Sequence, residues 1–488
     1  MSATFIGIDI GTSGVKAVLI DARGKVLGDA GQPLAVSRPF PLWSEQDPAA
    51  WWQAVIGAVD ALARSQPAAI GRARGLGLSG QMHGATLLDR HDNVLRPAML
   101  WNDGRAVAEC AELEAAEPDV HAIAGNLAMP GFTAPKLAWV RKHEPRIFEK
   151  VAKVLLPKDY VRLMLTGDYV SDMSDASGTL WLDVERRDWS DALLAATGLS
   201  RSHMPSLVEG SAPSGLLRPE LQRRWGIADS VIVGGGGGDN AASACGIGAI
   251  RPGEGFVSLG TSGVLFVANE RFSPNTEGAV HAFCHAIPQA WHQMGVVLSA
   301  ADSLNWLAHL IGQKPADLAA RAEAGFRGPA AEIFLPYLSG ERTPHNDASA
   351  RGSFTGLSHF SDPASLAQAV MEGVVFALRD CQLALADAGT DIDHLVAVGG
   401  GSRSALWLRI LATNLDMEIA VPHDGDFGGA FGAARLAFCA ATGADPAQVM
   451  TRPAIRTVFT PDRALSAAYT EQYARYRRLY PAIGDARA

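Results

Sequence analysis

Gly11-Thr12-Ser13-Gly14-Val15 returns as Gly260-Thr261-Ser262-Gly263-Val264, five identical residues placed near the start of each half of a 488-residue chain. The first word follows Ile8, Asp9 and Ile10, and the second follows Val257, Ser258 and Leu259. Both copies sit between short apolar, β-rich runs, so each reads as a hairpin turn. Two unrelated glycine turns would also give a short match, but the shared placement favours a duplicated domain. A chain of this length exceeds what one hydrophobic core usually supports, which points the same way.

The chemistry of the repeated word suggests a purpose for it. Gly-Thr-Ser-Gly exposes successive backbone N–H groups and two hydroxyls with almost no side-chain bulk, a nest suited to phosphate oxygens. The copies differ at Asp9 against Ser258. One carboxylate beside one phosphate nest suits a hydrated Mg²⁺, which is bound through one or two carboxylates plus phosphates.

Between the copies lies a second signal. Val231, Ile232 and Val233 read as a buried strand, five glycines follow at 234–238, then Asp239, then the small residues 240–245 that suit a closely packed helix. Glycines let a ligand or another backbone approach, so the pattern presents Asp239 at the floor of a cleft. The bland alternatives are a flexible joint and an aspartate acting as a helix N-cap. Strand, glycine turn and helix start recur at 395–398, Gly399-Gly400-Gly401 and Trp407, again suiting a nucleotide. The small residues at 428–434 are expected to let one helix pack closely on its neighbour.

Elsewhere the opening segment reads as three strands, at 5–10, 15–20 and 25–27, and then a helix capped by Asp47 with Pro48 in its first turn. Gly75, Gly77 and Gly80 spell G-x-G-x-x-G, but strand-like residues 85–88 follow, so the dinucleotide reading fails. No P-loop word occurs. Gln81-Met82-His83-Gly84 and Trp101-Asn102-Asp103-Gly104-Arg105 place polar groups just beyond apolar runs; the bland readings are a satisfied histidine and a weak surface ion pair. His281, Cys284 and His285 would share a helix face at i and i+4, but no further ligand stands at a familiar zinc spacing.

Composition limits the partners. Charged residues make up 19% and the net charge is −9, which argues against a nucleic-acid surface and a polybasic membrane contact. Five scattered cysteines without a C-x-x-C word read as buried thiols of a reducing compartment. With no export signal or spanning apolar run, a cytoplasmic protein is expected. The assembly expected is one copy or a homodimer.

Together these units resemble the FGGY carbohydrate kinases. Gly131-Phe132-Thr133-Ala134-Pro135-Lys136-Leu137-Ala138-Trp139 matches that family's first signature, and residues 352–357 with 366–372 approach its second, with Ser365 where the pattern asks for an acid, amide or histidine. Longer words, Leu42-Trp43-Ser44-Glu45-Gln46-Asp47-Pro48, Ser171-Asp172-Met173-Ser174-Asp175 and Pro336-Tyr337-Leu338-Ser339-Gly340-Glu341-Arg342-Thr343-Pro344-His345, carry the likeness along nearly the whole chain. The resemblance implies an α/β protein of two duplicated actin-like (ribonuclease H-like) domains with a cleft between them. Residues 1–246 would bind sugar and 247–488 ATP. It further implies a ketopentose phosphorylated by ATP, Asp239 as general base, and Met82, His83, Asp103 and Arg105 at the sugar. Gly11, Thr12, Ser13, Gly260, Thr261, Gly400 and Gly401 would hold ATP, and Asp9 with Asp239 would hold Mg²⁺. Other readings in view are a kinase of another polyol or sugar, a catalytically silent sugar sensor of the same fold, and an actin-like polymer-forming ATPase.

Overall fold

The computed structural model describes residues 2–423 and 428–485. Two mixed sheets dominate it. In the first, β1 (Thr4–Ile10), β2 (Gly14–Asp21), β3 (Val26–Pro33), β4 (Ala73–Gly80), β5 (Pro213–Leu216) and β6 (Ile232–Gly234) lie in the order β5-β6-β4-β1-β2-β3, and β7 (Gly237–Gly238) also pairs with β4. The second contains β8 (Glu254–Leu259), β9 (Gly263–Asn269), β10 (His281–Cys284), β11 (Trp291–Val297), β12 (His394–Val398), β13 (Ile419–Pro422) and β14 (Ile455–Phe459), in the order β10-β11-β9-β8-β12-β13-β14.

The duplication read from one word is present in the topology. Each repeat forms an antiparallel hairpin, β1–β2 and β8–β9, whose first strand takes a parallel neighbour, β4 or β12. Each sheet continues with a further parallel strand, β6 or β13, and then an antiparallel one, β5 or β14. On the hairpin's other side stand the antiparallel β3 and β11.

The helices follow local chemistry. Helix α1 (Pro48–Ser65) starts at Asp47, whose carboxylate accepts the Ala49 N–H, and it buries Trp51, Val55, Val59 and Leu62 at helical spacing. Helices α2 (Thr133–His143), α3 (Pro157–Thr166) and α4 (Met173–Ser177) belong to the segments laid over the first sheet. Helix α5 (Asp239–Ile247) follows the glycine run, and the longest helix, α6 (Pro363–Asp387), backs the second sheet together with α7 (Ala405–Leu415). Ser365 completes a capping box with Asp362 at the start of α6 and donates to Glu332, so the departure from the family signature has a structural use.

The halves are locked together by small residues. Helix α8 (Gly429–Thr442), near the chain's end, lies on the first sheet so closely that a Cβ on Gly7 would fall 1.8 Å from the Ala430 carbonyl oxygen, and one on Gly77 2.0 Å from that of Ala433. Conversely, Ala244 and Ile247 of α5 share a core with Phe256, Phe266 and Val396 of the second sheet. The close helix packing expected at 428–434 is therefore what joins the two halves. No helix among the described residues is long and apolar enough to cross a membrane.

Candidate active site

The glycine run is a rigid backbone approach and not a flexible joint. Gly236 has φ +78, and a Cβ there would lie 2.1 Å from the Leu78 carbonyl oxygen. Both ends of the run are held by buried side chains for which the sequence offered no such role. Arg162 of α3 donates from Nη1 to the Gly234 carbonyl at 2.7 Å and from Nη2 to that of Gly235. The Gly238 N–H donates to Ser174 Oγ at 3.1 Å, and Ser174 is fixed by Asp172, which also caps α4. Lys158 Nζ sits 2.8 Å from Asp172 Oδ1 and 3.2 Å from Asp175 Oδ2. Burial pushes the Asp175 carboxyl well above the usual carboxylate range.

Asp239 is the first residue of α5, and Gly238 occupies the cap position, so the N-cap reading gives way. Its Oδ1 accepts from the Asn240 backbone N–H at 2.7 Å and from Asn240 Nδ2 at 2.9 Å. Among the described residues Oδ2 has no protein partner, and the residue remains partly exposed. Burial and then the neighbouring charge of Asp9 raise its carboxyl to about 7. Asp9, near the end of β1, accepts from Ser79 Oγ at 2.8 Å, and burial raises it too. The structure thus brings the two predicted carboxylates together.

Met82 and His83 join this group. A Cβ on Gly238 would meet Met82 at 3.0 Å, which places the Met82 side chain against the residue before Asp239. His83 adopts φ +69, a left-handed conformation that a non-glycine residue holds only when its surroundings enforce it. Lys136 enforces it, with Nζ donating to the His83 carbonyl at 2.8 Å and to that of Gly131 at 2.6 Å; burial lowers Lys136 to about 7. His83 Nδ1 bonds the Gly178 carbonyl at 2.6 Å, and burial drops its pKa to about 3, so the ring is neutral and Nε2 is an acceptor.

Asp103 and Arg105 are not a surface pair. Arg105 is sequestered between Asp103 at 2.6 Å and Glu45 at 2.8 Å, with its guanidinium 3.4 Å from the Trp43 ring centroid. The Ser44 N–H donates to Asp103 Oδ2 at 2.7 Å, and Arg105 Nη1 is left without a partner. The predicted nucleotide residues fall into two groups. Gly260 and Thr261 adjoin the turn of Gly400 and Gly401, because a Cβ on Gly399 would lie 3.0 Å from the Gly260 nitrogen. A cavity of about 490 Å³ opens beside that turn, lined by Gly399, Gly400, Arg403, His423 and Arg456 among others. Gly11, Thr12 and Ser13 follow Asp9 and Ile10 directly, with Thr12 Oγ1 bonded to Gln81 and to the Trp101 indole.

The segment carrying His281 and Cys284 is strand β10, not a helix, which overturns the shared helix face. His281 bonds Asn126 and Arg342, while His285 bonds the Ala249 carbonyl. Among the described residues no group of three or more His, Cys, Asp or Glu could hold a metal ion.

This fold and site define a sugar-kinase class, and comparison with known proteins makes it specific. Residues 4–246 match the model of the FGGY family of carbohydrate kinases, N-terminal domain, and residues 255–441 match that of its C-terminal domain. The chain belongs to the FGGY family of carbohydrate kinases. It is 50% identical over 479 residues to the xylulose kinase of Escherichia coli strain K12, covering 98% of each chain. Among solved structures, that of a xyloylose kinase from Brucella ovis superposes with a TM-score of 0.97 at 57% identity over 99% of each chain. Plasmodium falciparum glycerol kinase with ADP shares the fold alone, at 19% identity, a TM-score of 0.87 and 98% of each chain.

Proposed function

We propose that the protein transfers the terminal phosphoryl group of ATP to xylulose, releasing xylulose 5-phosphate and ADP, and so serves the breakdown of xylose. The carrying observation is Asp239. It is a desolvated carboxylate near neutrality, half held by Asn240 and half open, beside Asp9, in a chain that shares half its residues with a xylulose kinase along almost its whole length. In this reading residues 1–246 bind the sugar and 247–488 the nucleotide.

As the terminal hydroxyl of the ketose attacks the γ-phosphorus, its proton passes to Asp239 Oδ2, and ADP leaves with the electrons of the broken P–O bond. The bond from Asn240 to Oδ1 fixes the carboxylate so that Oδ2 faces the sugar. Met82 and His83 line the sugar site, and Asp103 with Arg105 braces its wall. Gly11 shapes the first turn, its own N–H closed on the Gly14 carbonyl, and the backbone N–H groups of Thr12, Ser13, Gly260, Thr261, Gly400 and Gly401 receive the nucleotide. Asp9 and Asp239 suit Mg²⁺, a hard cation taken by few carboxylates and otherwise by phosphate and water; when bound it neutralises phosphate charge.

The test is ADP release against xylulose, other ketopentoses, polyols and glycerol. Xylulose should be turned over fastest, and Asp239→Ala should lose about 10²- to 10⁴-fold in turnover while still binding ATP. Undiminished turnover in that variant overturns the base assignment, and a clear preference for another acceptor overturns the substrate.

A further inference from the structure

Arg342 belongs to the long word at 336–345, for which the reaction above has no use. It reaches the region between the halves from the second half. Its Nη1 donates to His281 Nε2 at 3.2 Å. Since arginine only donates, His281 Nε2 is an acceptor, and its Nδ1–H donates to Asn126 Oδ1 at 2.9 Å. His281 is therefore neutral, and Arg342 has no carboxylate within ion-pair distance among the described residues.

That isolation is unusual in this molecule. Arg96 and Arg105 pair with Glu45, Arg162 with Asp159, and Arg187 with Glu209, while Arg435 is spent on the carbonyls of Cys245, Gly246 and Thr451. Glu341, its neighbour in sequence, is close enough for the two charges to act on each other, but its Oε1 accepts the Leu298 and Arg342 backbone N–H groups and it makes no ion pair with the guanidinium. A sequestered cation without a direct ion-pair partner is unfavourable unless something else accepts its hydrogen bonds.

Its position says what that is. Phe132 touches both His281 and His83, with ring centroids 5.7 Å and 4.6 Å apart, and Phe283 stacks on His281. Arg342 is near enough to His83 for its charge to help keep that ring neutral. Like His83 and Asp239, it is enclosed by protein yet still touched by solvent. Met82 and Gly238 link His83 to Asp239, so Arg342 lies on the His83 side of the site, beyond the base. A ketose with its terminal hydroxyl on Asp239 extends its other end that way. That end differs from a polyol in having a carbonyl oxygen, which accepts hydrogen bonds and donates none.

We propose that Arg342 is a specificity-determining residue of the sugar site, donating to the ketone oxygen of the substrate. This rests on the function proposed above. The experiment compares wild type, Arg342→Gln and Arg342→Met for KM and kcat with xylulose, xylitol and ATP. Arg342→Met should raise KM for xylulose at least about tenfold and erode the preference for xylulose over xylitol, with KM for ATP within about twofold; Arg342→Gln should fall between. A folded variant with unchanged KM for xylulose and unchanged preference overturns the inference, as does a defect confined to ATP. Wild type that fails to phosphorylate xylulose overturns the function instead. Should both variants fail to fold, phenylglyoxal modification of wild type, mapped by mass spectrometry, decides: xylulose protects Arg342, and equal labelling with and without xylulose overturns the inference.

Discussion

The two Gly-Thr-Ser-Gly turns share a sequence and a hairpin but sit in opposite surroundings. In the first, the Gly11 N–H closes on the Gly14 carbonyl, Thr12 Oγ1 is held by Gln81 and Trp101, and the Thr12 carbonyl accepts from Gln46 Nε2 at 2.7 Å. In the second, the carbonyls of Gly260 and Thr261 receive the N–H groups of Ala301 and Ala300, at the start of the helix Ala301–Leu310, while the Thr261 side chain is exposed. Duplication kept the backbone and changed what surrounds it. The first turn has its hydroxyl tied to Gln81 and Trp101, and the second keeps its hydroxyl open.

The largest expected effect sharpens the contrast two residues before Asp9 and Ser258. Gly7 lets the α8 backbone settle on the first sheet, whereas its counterpart Phe256 stacks on Phe266, with centroids 4.9 Å apart, in the core between the halves. Phe256→Ala should cost about 3–5 kcal/mol by leaving a cavity. Gly7→Ala should cost about 1–3 kcal/mol or more by forcing α8 off the sheet. Denaturant unfolding measures both. A tolerated Gly7→Ala would break the picture of one half resting on bare backbone.

Next comes pH. The wall between the halves holds neutral histidines, with His83 at about 3 and His285 at about 4, each lowered mainly by burial. Folded values below the unfolded 6.5 mean stability that is present above pH 6.5 and lost as pH falls through the folded values. The second half holds the reverse case. Burial raises Glu372 from 4.5 to about 7, although Gln368, Tyr469 and the Ala330 N–H all bond it. Its contribution is fully present below pH 4.5 and is lost as pH rises through about 7. Glu372→Gln, which removes the charge, should therefore gain stability relative to wild type as pH rises from 5 to 8, by about 3 kcal/mol at the upper end. Thermal melting across that range reads it; parallel profiles would mean that Glu372 is not buried as described.

How much of this was readable before folding follows from the range of each interaction. The hairpins, the Asp47 cap and the strand-to-helix passage at Asp239 are local, so neighbouring residues spell them. β10 was misread because His281 and His285 satisfy a helical spacing, while the alternation of His281 and Phe283 that marks a strand spans only four residues. Lys158 and Arg162 could not be assigned a role, because Asp172, Ser174 and the glycine carbonyls reach them only through tertiary structure. The same holds for Arg105, which in sequence looks like one end of a surface pair, and whose burial depends on Glu45 and Trp43 some sixty residues upstream.

The remaining difference between the turns is the one nearest the chemistry. Asp9 stands opposite Lys16 in the hairpin and beside Ser79, and Ser258 stands at the same register opposite Val264 and beside Val398. If the first turn is where a cation meets phosphate, Asp9→Asn should lower turnover about 10²-fold and raise the Mg²⁺ concentration needed for half-maximal rate. Ser258→Ala should change either by no more than about threefold, since in the proposed function the second turn meets the nucleotide through backbone N–H groups, which the substitution leaves in place. Asp9 also raises the pKa of Asp239 by its charge, so in Asp9→Asn the acid limb of kcat/KM should move to lower pH. Comparable losses in both variants, or an unmoved acid limb, would mean that the halves divide the work differently: Asp9 would then serve only to orient Ser79, and the cation would have to be held elsewhere.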